Sequence, residues 1–450
     1  MTLISEKAQS KHRGKRLILL FLELCPYSIL WYLNLTMISA CAAILISMST
    51  FSAASSQIAG RFIDFTKNYA CSQIAKTNPK MIWDDNTQAS MLNTILHSKP
   101  TDITSMERKL FVAPYTPQSL LLLMPLTNLP LNQAIIIFEI FSISFAIIVI
   151  TALLKMYQQY SIPKILLWWF IVLSSLIFLQ NICLGQMTPI IAGLAGLIFL
   201  SLKGNKVILP AASLALLCAI KPQRGLILII MLIATKRFKI LTAMLLFSIL
   251  LLSICASVIG IDQLWDYPEK LQNIIQSYQT IKLHGPIEFS TTYTLGLQSL
   301  LSFLAQKSIG HNLVPWSTIL DLLLCYFVWN KASKAGSGAY PFALIITLIV
   351  DLILGPYANL YDIFMLNIGW AMTLPEVELF QFSKLQGTSM QLWFLSFLFF
   401  PIIDWLIQGY CYKFGGSLHV ILLSALLLIA IWNFKNIISQ SKQTSIAELC

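Results

Sequence analysis

Charged residues are scarce in this sequence: Asp, Glu, Lys and Arg supply only 11% of its 450 residues, less than half of the roughly 25% usual in a soluble domain. Apolar types supply 57%, and mean hydropathy is +0.75. A water-soluble globule of this size could not hide that much apolar surface. A soluble enzyme is therefore excluded, as are disordered, collagen-like and disulfide-rich secreted chains. Metal-binding spacing is missing too. The nine cysteines are odd in number and form no Cys-x-x-Cys pair, so they read as neither a disulfide framework nor a zinc site. Most lie in apolar stretches, where cysteine behaves as a small buried hydrophobe. His12, His97, His284, His311 and His419 are scattered, with no His-x-x-x-His pair. No nucleotide-binding loop and no basic stretch interleaved with exposed aromatics occurs. The net charge of +11 therefore does not point to nucleic acid; its cause is the retention of Lys and Arg on the cytoplasmic side of a membrane.

What the sequence does have is apolar blocks of roughly 15–24 residues, about the length a bilayer-spanning helix needs. The fold class read from them is all-α, a polytopic integral membrane protein with about twelve transmembrane helices, roughly eleven to thirteen by the hydropathy windows. The spans fall near 29–51, 132–154, 165–180, 187–202, 206–220, 224–235, 239–261, 313–330, 339–355, 360–375, 388–407 and 418–433. The division is a cytoplasmic N-terminal segment 1–28, a transmembrane domain 29–435 and a cytoplasmic tail 436–450. The basic start (Lys7, Lys11, Arg13, Lys15, Arg16) ahead of a long apolar stretch reads as an uncleaved signal anchor with its N-terminus inside. Segment 116–131 is apolar but broken by Pro117, Pro125 and Pro130, so it reads as a re-entrant or surface helix. Lys155, Lys164, Lys203, Lys206, Lys236, Arg237, Lys239, Lys331, Lys334, Lys384, Lys435 and Lys442 then all fall inside. The short outside loops keep only Lys221, Arg224 and Lys413, as the positive-inside rule requires.

Two outside segments, 52–131 and 262–312, exceed the length of simple connections, and long ordered loops are usually functional. In 61–75, Phe62, Phe65 and Tyr69 share one helical face while Asp64, Asn68 and Cys71 share another. That spacing predicts a helix lying at the membrane surface, its apolar side in lipid and Asp64 aimed at a cavity. Segment 294–306 reads similarly.

Several residues could carry chemistry. Asp64 follows the first span on the outer face, where a carboxylate could deprotonate an acceptor hydroxyl; the plainer reading is a solvated surface acid. Asp84 and Asp85 read as a turn. Lys221-Pro222-Gln223-Arg224 puts two cations in a short outside loop. They either snorkel to lipid phosphate or grip the phosphate of a lipid-linked substrate, Arg as a planar fork and Lys as a point charge. Gly185-Gln186 is an outside turn. Gly355-Pro356-Tyr357 interrupts a helix at the outer surface, and Asp362 opens the next one, where an acid also complements the helix dipole. Glu139, Asp321, Asp351 and Asp404 lie within or at the edge of spans, where acids are costly. For Asp351 and Asp404 interfacial solvation could suffice, and Glu139 has no obvious partner. His284-Gly285-Pro286-Ile287-Glu288 supplies too few ligands for a metal.

The order and sidedness of these pieces carry a resemblance. Asp64-Phe65 with Tyr69-Ala70 comes first, then Tyr115, Pro117, Pro125, Leu129 and Pro130 in the stretch 111–134. The Gly185-Gln186 turn, the Lys221-Pro222 turn and the late Gly-Pro-Tyr…Tyr-Asp break follow. Over about residues 60–375 the chain resembles glycosyltransferase family 87, polyprenol-phosphate-mannose-dependent mannosyltransferases with the multi-span GT-C architecture. The resemblance implies inverting transfer of a hexose, mannose favoured, from a polyprenyl-phosphate sugar on the outer face to a glycolipid or glycan acceptor. Asp64 maps to the family's general base. Lys221, Arg224, Gln186, Tyr115, Tyr357 and Asp362 are then the candidate substrate-binding residues. The chain departs from the family pattern with Asn68-Tyr69 in place of paired tyrosines. Further departures are Lys76 to Pro79 where a Gly is usual, and Asn359-Leu360-Tyr361-Asp362 where a His or Trp is common.

The chemistry fits the residue types. Lipid phosphate is a good leaving group, so the site needs one base and cationic stabilisation of the phosphate, with no cofactor or metal. The absence of a nucleotide loop from the sequence separates it from nucleotide-sugar enzymes. The rival reading is a multi-span transporter or lipid flippase, which predicts acids and broken helices near the bilayer midplane in two related halves; no internal repeat is visible. The only Asn-x-Ser/Thr triplet, Asn34-Leu35-Thr36, lies inside the first span, which favours a bacterial inner membrane with the site facing the periplasm or exterior. Both termini then lie in the cytoplasm. Oligomeric state is not legible.

Overall fold

The computed structural model describes residues 63–96, 116–158, 176–203, 206–280, 310–355, 358–379 and 423–432, with short pieces between and after them. The spans expected at 29–51 and 388–407 lie outside the described residues, as do Tyr115, Tyr357 and Asp404. What is described is helical, apart from two pairs of very short antiparallel strands.

The outer-loop residues form α1 (Ile63–Thr77), α2 (Asp85–Leu96) and α3 (Pro117–Leu123). Asp84 starts α2 by accepting from the backbone N–H of Thr87 at 2.7 Å and from its hydroxyl at 2.6 Å; these bonds hold its carboxyl below the usual range. Asp84 thus caps a helix and Asp85 is its first residue, where a turn was expected for both. Thr116 caps α3 through a bond from Ser119 N–H, with Pro117 at the first helical position, where its missing N–H costs nothing. A 3-10 turn, Met124–Asn128, ends the piece. The prolines therefore keep 116–131 from forming one continuous helix, as its sequence indicates.

Next come α4 (Leu131–Gln158), α5 (Leu176–Leu184), α6 (Thr188–Lys203), α7 (Ile208–Ile220), α8 (Pro222–Ala234) and α9 (Phe238–Ile259). The chain continues through α10 (Ile261–Thr280), α11 (Gly310–Ala335), α12 (Tyr340–Leu354), a 3-10 turn at Leu360–Met365 and α13 (Leu366–Leu379). A further apolar helix, α14, covers Leu423–Trp432. Strands β1 (Lys282–His284) and β2 (Ile287–Glu288) pair with each other, and β3 (Thr294–Leu295) pairs with β4 (Ala358–Asn359). Thr294 and Leu295, expected to begin a surface helix, are extended instead, because their backbone groups pair across to Asn359 and Ala358.

Among the described helices two, Leu131–Met156 in α4 and Phe238–Ile259, are long and apolar enough to cross a membrane. The expected count of about twelve rests on the sequence. Side chains on α4, α9 and α11 stand outward in apolar rows: Ile136, Ile140 and Phe141; Leu246, Ile249 and Leu250; Ile319, Leu323 and Phe327. Contiguous apolar surface of this kind would be a liability in water and is normal against lipid. Inward, α12 is buried over almost its whole length, packed between α11 and α13. Helix α6 lies close against α4 because Gly193 and Gly196 face Phe145 and Val149; a Cβ on Gly196 would sit 2.6 Å from Val149 Cγ1. Small residues at such crossings let membrane helices approach.

The expectation that α1 lies with its aromatic face in lipid is corrected. Phe65 is 1% exposed and Tyr69 5%. Phe65 packs its ring at a tilt against Phe138 of α4, centroids 4.7 Å apart, and the Tyr69 hydroxyl donates to the Leu129 carbonyl at 2.7 Å. The opposite face is buried as well: Asn68, Ser72 and Cys71 lie against the protein, Ser72 donating to the Leu120 carbonyl at 2.9 Å. A helix with large groups on one side and small polar groups on the other can be covered by protein on both, and here it is.

Candidate functional site

Helix α5 ends in a left-handed turn. Gly185 has φ +65°; its N–H donates to Ile182 O at 3.0 Å, and Gln186 N–H to Asn181 O at 2.9 Å. These are the paired bonds of a Schellman cap, with glycine at the position that needs positive φ. The turn is pressed against the first turn of α1, where a Cβ on Gly185 would lie 2.5 Å from Phe65 Cβ. One residue on, the Gln186 side-chain amide donates to Oδ2 of Asp64. Lys67, one helical turn along α1, stands 3.6 Å from Asp64 Oδ1. The Asp64 side chain keeps 22% of its surface exposed, so the carboxylate is held from two sides but stays reachable.

The second half of the site is built at the joint of α7 and α8. Lys221 closes α7 by donating its N–H to Leu217 O at 2.8 Å, and its own carbonyl accepts from Arg224 and Gly225 in the first turn of α8. Pro222 forces the residue before it out of the helical region, and Lys221 sits at φ −142°, ψ 83°. Two helices therefore meet at one residue. Its ammonium reaches Asp362 Oδ1 at 2.5 Å. Arg224 donates to Asp362 Oδ2 at 3.0 Å and pairs through its other terminal nitrogen with Asp351. Thr188, at the start of α6, stands 3.4 Å from Asp362 Oδ1. Burial pulls the Lys221 ammonium below its ordinary value, while Asp362 and, more weakly, Asp64 push it back up. The two halves are thus within electrostatic reach of one another. They also share a support: the turn at 185–188 touches Asp64 through Gln186 and Asp362 through Thr188.

Of the residues singled out in the sequence, the structure gathers Asp64, Gln186, Lys221, Arg224 and Asp362. Three of the plainer alternatives fall away. The cations do not snorkel outward; Arg224 is 3% exposed and faces carboxylates. Asp362 does not open a regular helix as a dipole-satisfying acid; it lies in the 3-10 turn ahead of α13 with its carboxylate in the ion cluster. Asp351 does not rely on interfacial water; it is 2% exposed and pairs with Arg224, because a charge that far from solvent needs a counter-ion. Thr188 and Lys67 were missed. Lys67 was legible as the i+3 neighbour of Asp64. The pairing of Asp351, though not its presence, was missed; it could have been anticipated by asking which acids answer two cations in apolar surroundings. Thr188 left no such signal.

Chemically, the arrangement is an accessible carboxylate beside a cation whose charge is only partly spent on a buried acid. Lys221 keeps 16% of its side-chain surface exposed against 1% for Asp362, so an incoming anion would meet the lysine first.

In comparisons with known proteins, the pattern of glycosyltransferase family 87 matches residues 111–350, just over half of the chain. It takes in Gln186, Lys221 and Arg224 and stops short of Asp64 on one side and of Asp351 and Asp362 on the other. No curated protein and no solved structure matches.

Proposed function

Because the chain belongs to glycosyltransferase family 87, and is therefore a glycosyltransferase set in a membrane, we propose that it transfers a hexose, mannose by family resemblance, from a polyprenyl-phosphate sugar to a glycolipid or glycan acceptor at the outer membrane face. The acceptor oxygen attacks the anomeric carbon from the side opposite the phosphate. The bond from that carbon to the phosphate oxygen breaks, the configuration inverts, and polyprenyl phosphate leaves. The acceptor proton passes to Asp64. Charge growing on the phosphate is met by Lys221, while Arg224, the second cation, is held between Asp351 and Asp362 and fixes the Asp362 carboxylate that Lys221 pairs with. Fixed charges of this kind stabilise a transition state without reorganising at the moment of reaction.

The observation that supports the proposal is the turn at 185–188, which bonds Asp64 through Gln186 and reaches Asp362 of the Lys221–Asp362–Arg224 cluster through Thr188, joining segments far apart in the chain. The outer-face assignment draws support from α11, whose exposed Trp316 stands near one end and whose Lys331 and Lys334 stand at the other; Trp favours interfaces and Lys the cytoplasmic side. The inner membrane of a bacterium is the compartment proposed, with both termini cytoplasmic.

The test uses the full-length protein in proteoliposomes, supplied with synthetic polyprenyl-phosphate hexoses and a mixture of membrane glycolipids. Lipid-linked mannose is expected to donate, with inversion at the new bond. Donor consumption from none of the polyprenyl-phosphate sugars, together with movement of the intact donor between leaflets, would replace this reading by a flippase.

A further inference from the structure

The contact between Gln186 and Asp64 has a geometry that substrate binding does not require. The Gln186 amide is spent on Oδ2 of Asp64, and the residue is 7% exposed. Its backbone is fixed from below by the Schellman cap of α5, and the preceding Gly185 abuts Phe65, the residue next to Asp64. Side chain and backbone thus touch the same turn of α1 at two adjacent residues. Across the carboxylate, Lys67 of the same helix lies 3.6 Å from Oδ1, and the charge of Lys221 acts from the joint of α7 and α8. Two charged groups, Lys67 and Lys221, thus act on Asp64.

We propose that Gln186 is a positioning residue for Asp64: its amide occupies Oδ2 and so presents Oδ1 as the proton-accepting oxygen. This rests on Asp64 being the base. An Asp side chain rotates about two bonds. A base that must meet a hydroxyl within about 2.6–3.2 Å gains from having one of its two oxygens tied down. A neutral amide suits that task because it ties down Oδ2 without adding a second cation to the ion pair that Lys67 already makes with Oδ1 at 3.6 Å; a further positive charge there would weaken the base, and at that distance Lys67 leaves Oδ1 open to a hydroxyl. The sequence marks the position only by the glycine before it.

The experiment compares Gln186→Leu, Gln186→Glu and Asp64→Asn in the full-length enzyme in proteoliposomes, at matched folded abundance, with a synthetic polyprenyl-phosphate mannose as donor. Gln186→Leu is expected to lower kcat about 10- to 100-fold, the scale of a misplaced reacting group, with donor and acceptor KM unchanged. Gln186→Glu keeps the shape but replaces the donor N–H by a second carboxylate, and is expected to be at least as damaging. Adding Gln186→Leu to Asp64→Asn should cost nothing further, since the two act through one group. A rise in KM at constant kcat would overturn the proposal in favour of substrate binding. Wild-type kcat in Gln186→Glu would overturn it in favour of a role in shape alone. Should Gln186→Leu fail to fold, the Gln186→Glu result decides by itself. Wild-type activity in Asp64→Asn would instead remove the base assignment and this inference with it, an outcome distinct from the others.

Discussion

Lys221 and Asp362 are 141 residues apart in the chain and 2.5 Å apart in space. Their pairing joins the α7–α8 joint to the 3-10 turn before α13. The pair is asymmetric, because the acid is buried and the base reaches the surface. Removing Lys221 therefore leaves Asp362 still bonded to Arg224, and Lys221→Ala is expected to fold. Donor kcat/KM should fall about 10- to 100-fold, the loss that follows from removing one charge-assisted contact of about 1.5–3 kcal/mol. Initial rates across a donor series measure it; unchanged donor dependence would leave Lys221 a purely structural ion.

A pH profile gives a second check on the same residue. Burial lowers the pKa of Lys221 from 10.5, so the ammonium is lost at a lower pH than an exposed lysine would lose it. Donor kcat/KM is expected to decline on the alkaline side before pH reaches the ordinary lysine value. The phenols of buried Tyr69 and half-buried Tyr267 are shifted the other way by desolvation, Tyr267 up to about 12, and titrate later. In Lys221→Arg the guanidinium stays protonated, so this decline should vanish. An alkaline limb that persists in that variant would belong to another group.

Asp64→Asn keeps the size of the side chain but cannot take a proton. Turnover should drop at least about 100-fold, the low end for a general base, with donor binding nearly unchanged. Asp84→Asn is the control, since asparagine caps a helix about as well as aspartate; it should retain activity, whereas Asp84→Ala should cost about 1 kcal/mol of local stability. Equal losses at Asp64 and Asp84 would indicate a diffuse acidic surface.

Arg224 and Asp351 form a pair from which little water can recover either charge; each side chain is 3% exposed. Asp351→Asn is expected to lower thermal stability in detergent by less than the about 3–5 kcal/mol of breaking an isolated buried pair, because Arg224 keeps its bond to Asp362. The double variant Arg224→Met, Asp351→Leu should recover much of that stability and none of the activity. Recovery of both would take Arg224 out of the mechanism.

Gly185 carries two requirements at once, a positive φ and contact with Phe65. Gly185→Ala should destabilise by about 1–2 kcal/mol from the backbone alone, and more from the collision. Asparagine tolerates left-handed backbone but has the same Cβ, so Gly185→Asn should be nearly as harmful. Tolerance of asparagine, read from melting curves and turnover, would show that the close approach to α1 relaxes freely.

By itself the sequence determined the class of environment and most of the helices. Low charge and long apolar blocks admit only a membrane solution, since backbone polar groups in lipid must be satisfied within the helix. Expected spans at 187–202, 206–220 and 239–261 thus meet helices at 188–203, 208–220 and 238–259. The punctuation at Gly185, Pro222 and Gly355 was legible for the same reason: those residues have few backbone options. Tertiary structure alone decided what Asp64, Lys221, Arg224 and Asp351 face. A periodic pattern says which residues share a side of a helix, but not whether lipid, water or another helix covers that side. So Phe65 meets Phe138 and not lipid, and Asp351 meets Arg224 and not interfacial water. Pairing of charges in apolar surroundings is a long-range choice, made by whichever counter-ion the packing brings within a few ångströms, and no spacing along the chain encodes it.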